Sequence, residues 1–175
     1  MAAVGDSITQ ADGDVPAGVL GPASWLSTAA TDGVVFTGGW ARAGATTADM
    51  LAAVQPVDAD VLVVLAGTND PVHGLPGEQT AADVRGIVER VGVDEVVLCA
   101  VPPLDADPAV AVATNAVLEE LAGDEGWVYA DAMAGIRRDD RFAPGMSADG
   151  VHPTGEAAAV IGRSLREAVL EVADG

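Results

Sequence analysis

The sequence predicts an α/β fold with a five-stranded parallel sheet between two layers of helices. Short apolar runs alternate with longer segments whose apolar residues recur at helical spacing, and this alternation is typical of a parallel sheet covered on both faces. The chain has 175 residues, of which 50% are hydrophobic and 20% are charged. This length and composition predict a single domain over residues 1–175 with an ordinary hydrophobic core.

The elements follow in chain order. The apolar runs that we predict to be strands are Ala2 to Val4, Val34 to Thr37, Val61 to Leu65, Val96 to Val101 and Trp127 to Ala130. About five helices lie between and after them, and the last begins after Pro153 with an apolar stripe of Ala157, Ile161, Leu165 and Val169. The single cysteine, Cys99, falls inside the fourth run, so we expect it to be a small buried hydrophobe that forms no internal disulfide.

The charge of the chain excludes several classes of partner. Asp and Glu number 27 against eight basic residues, all of them Arg, and the net charge is −19. Nucleic acid and anionic lipid would be repelled, and without Lys neither a P-loop nor a Schiff base is available. No apolar stretch is long enough to span a bilayer and no signal-peptide core is visible. We therefore expect a small-molecule substrate, in the cytoplasm or in a secreted form that has lost its leader; the oligomeric state stays open.

Ligands of parallel α/β sheets bind outside the carboxyl ends of the strands, so the polar residues after each apolar run are the candidate site. Ser7 follows the first run, Gly44 comes after the second and Asn69 after the third. Ser7 suits a nucleophile, although a turn or helix cap is the more common use of such a serine. Asn69 is suited to donate to an oxyanion or, equally, to stabilise its own turn. Gly44 offers a backbone N–H without a side chain, or simply a turn before a helix capped by Thr46 or Thr47.

The chain has only two histidines, and their settings differ. His152 lies three residues after Asp149 in a tight turn that contains a glycine, so the carboxylate can reach the imidazole and fix its tautomer. Pro153 stiffens the link from this turn into the last helix. His73 lies in a loop rich in glycine and proline, with no acid close behind it. We expect His152 to be the functional histidine and His73 to be at most a substrate contact.

Four short blocks in this order resemble the signature blocks of the SGNH (GDSL) hydrolase family. They are Gly5-Asp6-Ser7-Ile8-Thr9, Gly44, Gly67-Thr68-Asn69-Asp70 and Asp149-Gly150-Val151-His152-Pro153. The resemblance spans nearly the whole chain and implies a flavodoxin-like three-layer α/β/α fold and a serine ester hydrolase. It implies that Ser7 is the nucleophile, His152 the base and Asp149 the orienting acid. It also implies that the Ser7 N–H, the Gly44 N–H and the Asn69 side chain stabilise the oxyanion.

The sequence thus predicts a serine esterase for short or medium acyl groups that needs neither metal nor cofactor. The alternatives are a carbohydrate O-acetylesterase and a non-catalytic domain that binds acyl groups or glycans. Patterns typical of metal sites, such as HExxH or paired Cys-x-x-Cys, are absent. We expect the cleft walls to come from Pro71 to Gly77, Pro102 to Leu104 and Phe142 to Met146, and we expect the run from Arg137 to Arg141 to be a solvated loop.

Overall fold

The structure is a computed structural model that describes residues 1–175. Its main sheet has five strands, all parallel, in the order β2-β1-β3-β4-β5. The strands are β1 (Ala2–Gly5), β2 (Gly38–Ala41), β3 (Val61–Leu65), β4 (Glu95–Cys99) and β5 (Val128–Ala130). A separate two-stranded hairpin consists of β6 (Arg137–Arg138) and β7 (Arg141–Phe142).

Six α-helices surround the sheet. They are α1 (Ser7–Gln10), α2 (Trp25–Ala29), α3 (Thr47–Ala53), α4 (Gly77–Val91), α5 (Pro108–Glu125) and α6 (Gly155–Asp174). Thr46 caps α3 in a capping box with Asp49, so Thr46 is the cap of the two threonines considered from the sequence. The residues predicted as the stripe of the last helix are all buried. No helix is long and apolar enough to cross a membrane.

Two separate hydrophobic clusters, one on each face of the sheet, confirm the three-layer α/β/α architecture. Alternate residues of β3 point to opposite faces, so Val63 belongs to one cluster and Val64 to the other. The first cluster packs α2 and α6 against the sheet, and the second packs α3, α4 and α5. Cys99 is fully buried in the first cluster, as the sequence predicts.

The second predicted strand is wrong in its position. The apolar run from Val34 to Thr37 is not a strand; β2 follows it and contains two glycines. The reason is the register with β1, because the first parallel pair joins Ala2 to Gly38. The preceding residues lie beside Met1, whose amino group donates to the Val35 carbonyl at 2.6 Å. The strand position is therefore determined by the partner strand and not by local hydrophobicity.

The predicted fourth strand is too long by two residues at its carboxyl end. β4 ends at Cys99, and the backbone of Val101 is held instead by the side chain of Asn115 on α5. The Val101 N–H donates to Asn115 Oδ1 at 2.7 Å, and Asn115 Nδ2 donates to the Val101 carbonyl at 3.1 Å. The side-chain amide of Asn115 thus makes the two hydrogen bonds that the backbone of a neighbouring strand would otherwise make to Val101.

Helices α2 and α6 pack with close backbone approach. Gly162 of α6 lies against α2, where a Cβ would collide with the carbonyl oxygen of Trp25. Trp25 and Ile161 are fully buried at this contact. Because the loop before α6 carries Asp149 and His152, this helix contact also positions one part of the predicted site.

Candidate active site

The predicted site residues converge at the carboxyl ends of the strands. Ser7 is the first residue of α1, directly after β1 and its cap residue Asp6. Gly44 lies between β2 and α3, and Asn69 lies in the loop after β3. Asp149 and His152 lie in the loop that leads into α6. The topology therefore brings the beginning and the end of the chain to one edge of the sheet.

A continuous chain of hydrogen bonds joins Ser7, His152 and Asp149. Ser7 Oγ lies 3.0 Å from His152 Nε2, across 145 residues of sequence. His152 Nδ1 lies 2.7 Å from Asp149 Oδ2. A carboxylate only accepts hydrogen bonds, so Nδ1 carries the proton and Nε2 is free to accept from the Ser7 hydroxyl. This arrangement can move a proton from the serine to the imidazole.

The turn around Asp149 is stabilised by its own hydrogen bonds. Asp149 Oδ1 accepts from the N–H of His152 at 2.8 Å and of Val151 at 2.9 Å. The Ser147 hydroxyl donates to the His152 carbonyl at 2.7 Å and accepts from the Gly150 N–H at 2.9 Å. The bonds from the backbone and the ring of His152 and from Val151 hold the pKa of Asp149 well below its ordinary value. The carboxylate therefore stays ionised beside the imidazole.

Gly44 and Asn69 lie on two loops that contact each other. Gly44 has a left-handed φ of 74°, and no heavy atom lies within 4 Å of the position that a Cβ would occupy. Asn69 Nδ2 donates to the carbonyl of Ala45, the residue after Gly44, at 2.9 Å. The side chain of Asn69 thus reaches across to the neighbouring loop and does not close its own turn. An amide nitrogen has two hydrogens, so one of them stays available for a ligand.

A buried carboxylate network, which the sequence analysis missed, joins the two loops that carry Gly44 and Asn69. Asp70 is fully buried. Its Oδ1 accepts from the Thr47 N–H at 2.8 Å, and its Oδ2 accepts from the Thr47 hydroxyl at 2.6 Å and the Thr80 hydroxyl at 2.7 Å. Asp83, buried beside Thr47, accepts from Gln79 Nε2 at 2.8 Å. The only sequence signal was an acid directly after Asn69, and nothing local indicates its partners.

Asp6 is a third buried carboxyl, and it directly precedes Ser7 in the chain. Its Oδ1 accepts from the Ile8 N–H at 3.0 Å, as an N-cap of α1. Its Oδ2 is buried without a hydrogen-bond partner, and so is the Thr68 hydroxyl. Burial raises the pKa of Asp6 to about 6. Ionisation of the Asp6 side chain is therefore costly, because the charge would be buried away from water.

A match to a family model over residues 3–160 decides the classification. The chain belongs to the GDSL-like lipase/acylhydrolase family. The SGNH (GDSL) resemblance of its motifs is thereby confirmed, together with the fold. No curated protein sequence matches the chain significantly.

Solved structures of several other proteins share this fold. The structure of TesA is 20% identical with a TM-score of 0.73, and the match covers 98% of each chain. A GDSL-like lipase from Bacteroides thetaiotaomicron is 19% identical with a TM-score of 0.71, covering 97% of this chain and 87% of that one. An acetylxylan esterase from Geobacillus stearothermophilus is 15% identical with a TM-score of 0.69, covering 95% and 91%. At identities this low, the likeness supports the fold of this GDSL family member and nothing about its substrate.

The residues predicted to form the cleft walls do not line the groove beside Ser7. That groove, of about 420 Å³, is lined by residues of α1, α2 and α6 and of the loops next to them, and includes none of the three segments expected from the sequence. Pro71 and Leu75 line a different groove against α5, and Pro103 lines a third. Their loops pack against α5, whose position in the fold the sequence does not indicate.

The remaining candidate residues lie apart from the hydrogen-bonded chain. His73 is exposed at the end of a 3₁₀ turn, Pro71–His73. Arg137 forms a two-pronged ion pair with Asp131, at 3.1 and 2.6 Å, and Arg141 donates to the Asp105 carbonyl. The basic run is therefore a hairpin with specific contacts and not simply a solvated loop.

Proposed function

We propose that the protein is a serine ester hydrolase that cleaves esters of short or medium acyl groups through an acyl-Ser7 intermediate. The observation that carries the proposal is the hydrogen-bonded chain from Ser7 through His152 to Asp149. Membership of the GDSL-like lipase/acylhydrolase family supports the same reaction class.

In the proposed acylation step, Ser7 Oγ attacks the ester carbonyl carbon and its proton passes to His152 Nε2. The C=O electron pair moves onto oxygen, which accepts hydrogen bonds from the Gly44 N–H, the Asn69 amide and the Ser7 N–H. When the intermediate collapses, the bond to the leaving oxygen breaks and His152 returns the proton to that oxygen. Asp149 accepts from Nδ1 throughout and stabilises the imidazolium.

Deacylation repeats the sequence with water in place of the alcohol. Water attacks the acyl carbon and gives a proton to His152, and the tetrahedral intermediate forms again at the same donors. Collapse breaks the bond to Ser7 Oγ, which takes the proton back, and the acid leaves. Substrate, water and these side chains supply every proton and electron pair in the scheme.

Covalent labelling tests the proposal directly. A fluorophosphonate should modify the native protein once, at Ser7, and hydrolysis of p-nitrophenyl acetate should stop with it. Ser7→Ala should show neither labelling nor turnover, while the matched control Ser164→Ala, on α6 away from the site, should show both. Turnover by folded Ser7→Ala at a rate near that of the native protein would end the acyl-enzyme proposal.

Two further candidates remain. A carbohydrate O-acetylesterase is supported by the fold shared with the acetylxylan esterase, and acetylated xylooligosaccharides turned over faster than every simple ester would favour it. A non-catalytic domain that binds acyl groups or glycans has no need for a serine hydrogen-bonded to an oriented imidazole. Binding without labelling or turnover would favour this last candidate.

A further inference from the structure

A groove of about 420 Å³ opens directly beside Ser7 and His152, which both line it. Most of its other walls are apolar. The exposed and partly exposed ones are Ala11, Ala23 and Pro153, and Ile8 and Ala158 add a little surface, while Trp25 and Ile161 are fully buried. A cavity of roughly 150 Å³ already admits a benzene-sized ligand, so this groove has room for an aromatic or branched group.

Neither Gly44 nor Asn69 lines this groove, so it lies to one side of the proposed oxyanion donors. A tetrahedral intermediate on Ser7 carries three other groups: the oxyanion, the acyl substituent and the leaving oxygen. The oxyanion faces Gly44 and Asn69. The leaving oxygen must lie within hydrogen-bond distance of His152 Nε2 to receive its proton. The part of the substrate attached to that oxygen therefore begins at the wall formed by His152.

We propose that the groove beside His152 receives the leaving alcohol of the substrate and selects neutral, apolar alcohols. This inference rests on the proposed ester hydrolysis and adds the leaving-group half of the substrate. The one acidic side chain in the lining is Asp12, which is exposed and accepts from the Ala23 N–H at 3.3 Å. Its charge, which is part of the net −19 of the chain, repels an alcohol that bears a carboxylate or phosphate.

The same groove must act in the reverse direction. An alcohol that enters it can attack the acyl carbon of the acyl-enzyme and give its proton to His152. The bond between the acyl carbon and Ser7 Oγ then breaks, Ser7 Oγ takes the proton from His152, and a new ester leaves. Water competes with that alcohol for the same intermediate. The ratio of ester to acid formed from one acyl-enzyme therefore reports alcohol binding in the groove and is independent of how the acyl group arrived.

Ala23→Phe tests the proposal by filling the groove from its rim. Ala23 is exposed, and its N–H is the only group for which a hydrogen bond is found. The matched control is Ala116→Phe, at an exposed alanine of α5 that lines a groove without Ser7. For Ala23→Phe we expect kcat/KM to fall at least tenfold with benzyl acetate and less than threefold with methyl acetate. Transfer of acetyl to added benzyl alcohol, relative to hydrolysis, should fall by a similar factor.

The outcomes separate the inference from the proposed function. Ala116→Phe should behave as the native protein. Ala23→Leu should show the same dependence on alcohol size as Ala23→Phe, with a smaller loss of kcat/KM. If Ala23→Phe instead discriminates between methyl acetate and methyl hexanoate and leaves alcohol size without effect, the groove holds the acyl group and the inference is overturned. Loss equal for all esters also overturns it. A native protein that forms no acyl-enzyme would reject the proposed function itself.

Discussion

Two aspartates stabilise the two halves of the site in opposite ways. Asp149 has a side chain that is 55% exposed, and its backbone donors lie two and three residues away in the same turn. Asp70 is fully buried, and its donors lie 23 and 10 residues away, on α3 and α4. A local turn can orient a base without help from the core. The spacing between two separate loops requires a buried partner that contacts both.

Asp149→Asn should have a large effect on catalysis and a small one on stability. An amide in place of the carboxylate lets the imidazole adopt the wrong tautomer, which costs roughly 10⁴ in kcat in serine triads of this type. The variant should unfold at nearly the same urea concentration as the native protein, because the side chain is exposed. Steady-state kinetics and urea unfolding measure the two effects. A loss in kcat below tenfold would remove Asp149 from the proposed mechanism.

Asp70→Ala should show the opposite balance, with a large loss of stability. Removing the carboxylate leaves the Thr47 N–H and the Thr80 hydroxyl buried without an acceptor, which costs about 3 kcal/mol or more in the free energy of unfolding. We expect kcat to fall roughly tenfold to a hundredfold with little change in KM, because the loop spacing relaxes.

The conservative variant Asp70→Asn is the control for this prediction. Its carbonyl oxygen can still accept from Thr47 N–H, and its amide can donate to either threonine hydroxyl, so most of the stability and of the kcat should return. If Asp70→Asn is as inactive as Asp70→Ala but fully stable, Asp70 does more than hold the two loops.

Asp6 is a buried carboxyl that lacks the hydroxyl partners of Asp70. Its contribution to the free energy of unfolding should depend on pH. Because its pKa is raised to about 6 in the folded protein, the unfolded chain ionises first as the pH rises from about 4 to about 6. The free energy of unfolding should fall across this interval, by at most about 3 kcal/mol from this group. Asp6→Asn keeps the acceptor for the Ile8 N–H and loses the titration. In urea unfolding at several pH values, the stability of Asp6→Asn relative to the native protein should therefore increase as the pH rises. If the free energies of unfolding of the two proteins change in parallel with pH, the pKa of Asp6 is not raised in the folded protein.

His73→Ala should have the smallest effect. The ring is exposed on a 3₁₀ turn and outside the hydrogen-bonded chain, so we expect kcat to change less than about tenfold, the scale of one lost contact of roughly 1.4 kcal/mol. His152→Ala, measured alongside, should lose several orders of magnitude. An inactive His73→Ala beside an active His152→Ala would reverse the assignment of the base.

The sequence predicted the parts of the molecule that are encoded locally. The stripe of α6, the strand Val61–Leu65 and the turn from Asp149 to His152 each depend on residues close in the chain. The position of β2 could not be predicted in this way, because its register is determined by β1 across the sheet. The partners of Asp70 and the groove of Ala23 and Trp25 were missed for the same reason, since each requires knowledge of which helices pack together.

The close contact of Gly162 with Trp25 has a consequence for the speed of the reaction. Ser7 comes from the beginning of the chain, and His152 comes from the loop before α6. The packing of α6 against α2 therefore contributes to the distance between Ser7 Oγ and His152 Nε2. A displacement of about 1 Å in reacting groups is enough to cost a hundredfold in rate. In the proposed mechanism we therefore expect added side-chain volume at Gly162 to change the distance between Ser7 Oγ and His152 Nε2. We expect the activity to depend on the packing of α2 against α6 as well as on the residues beside Ser7.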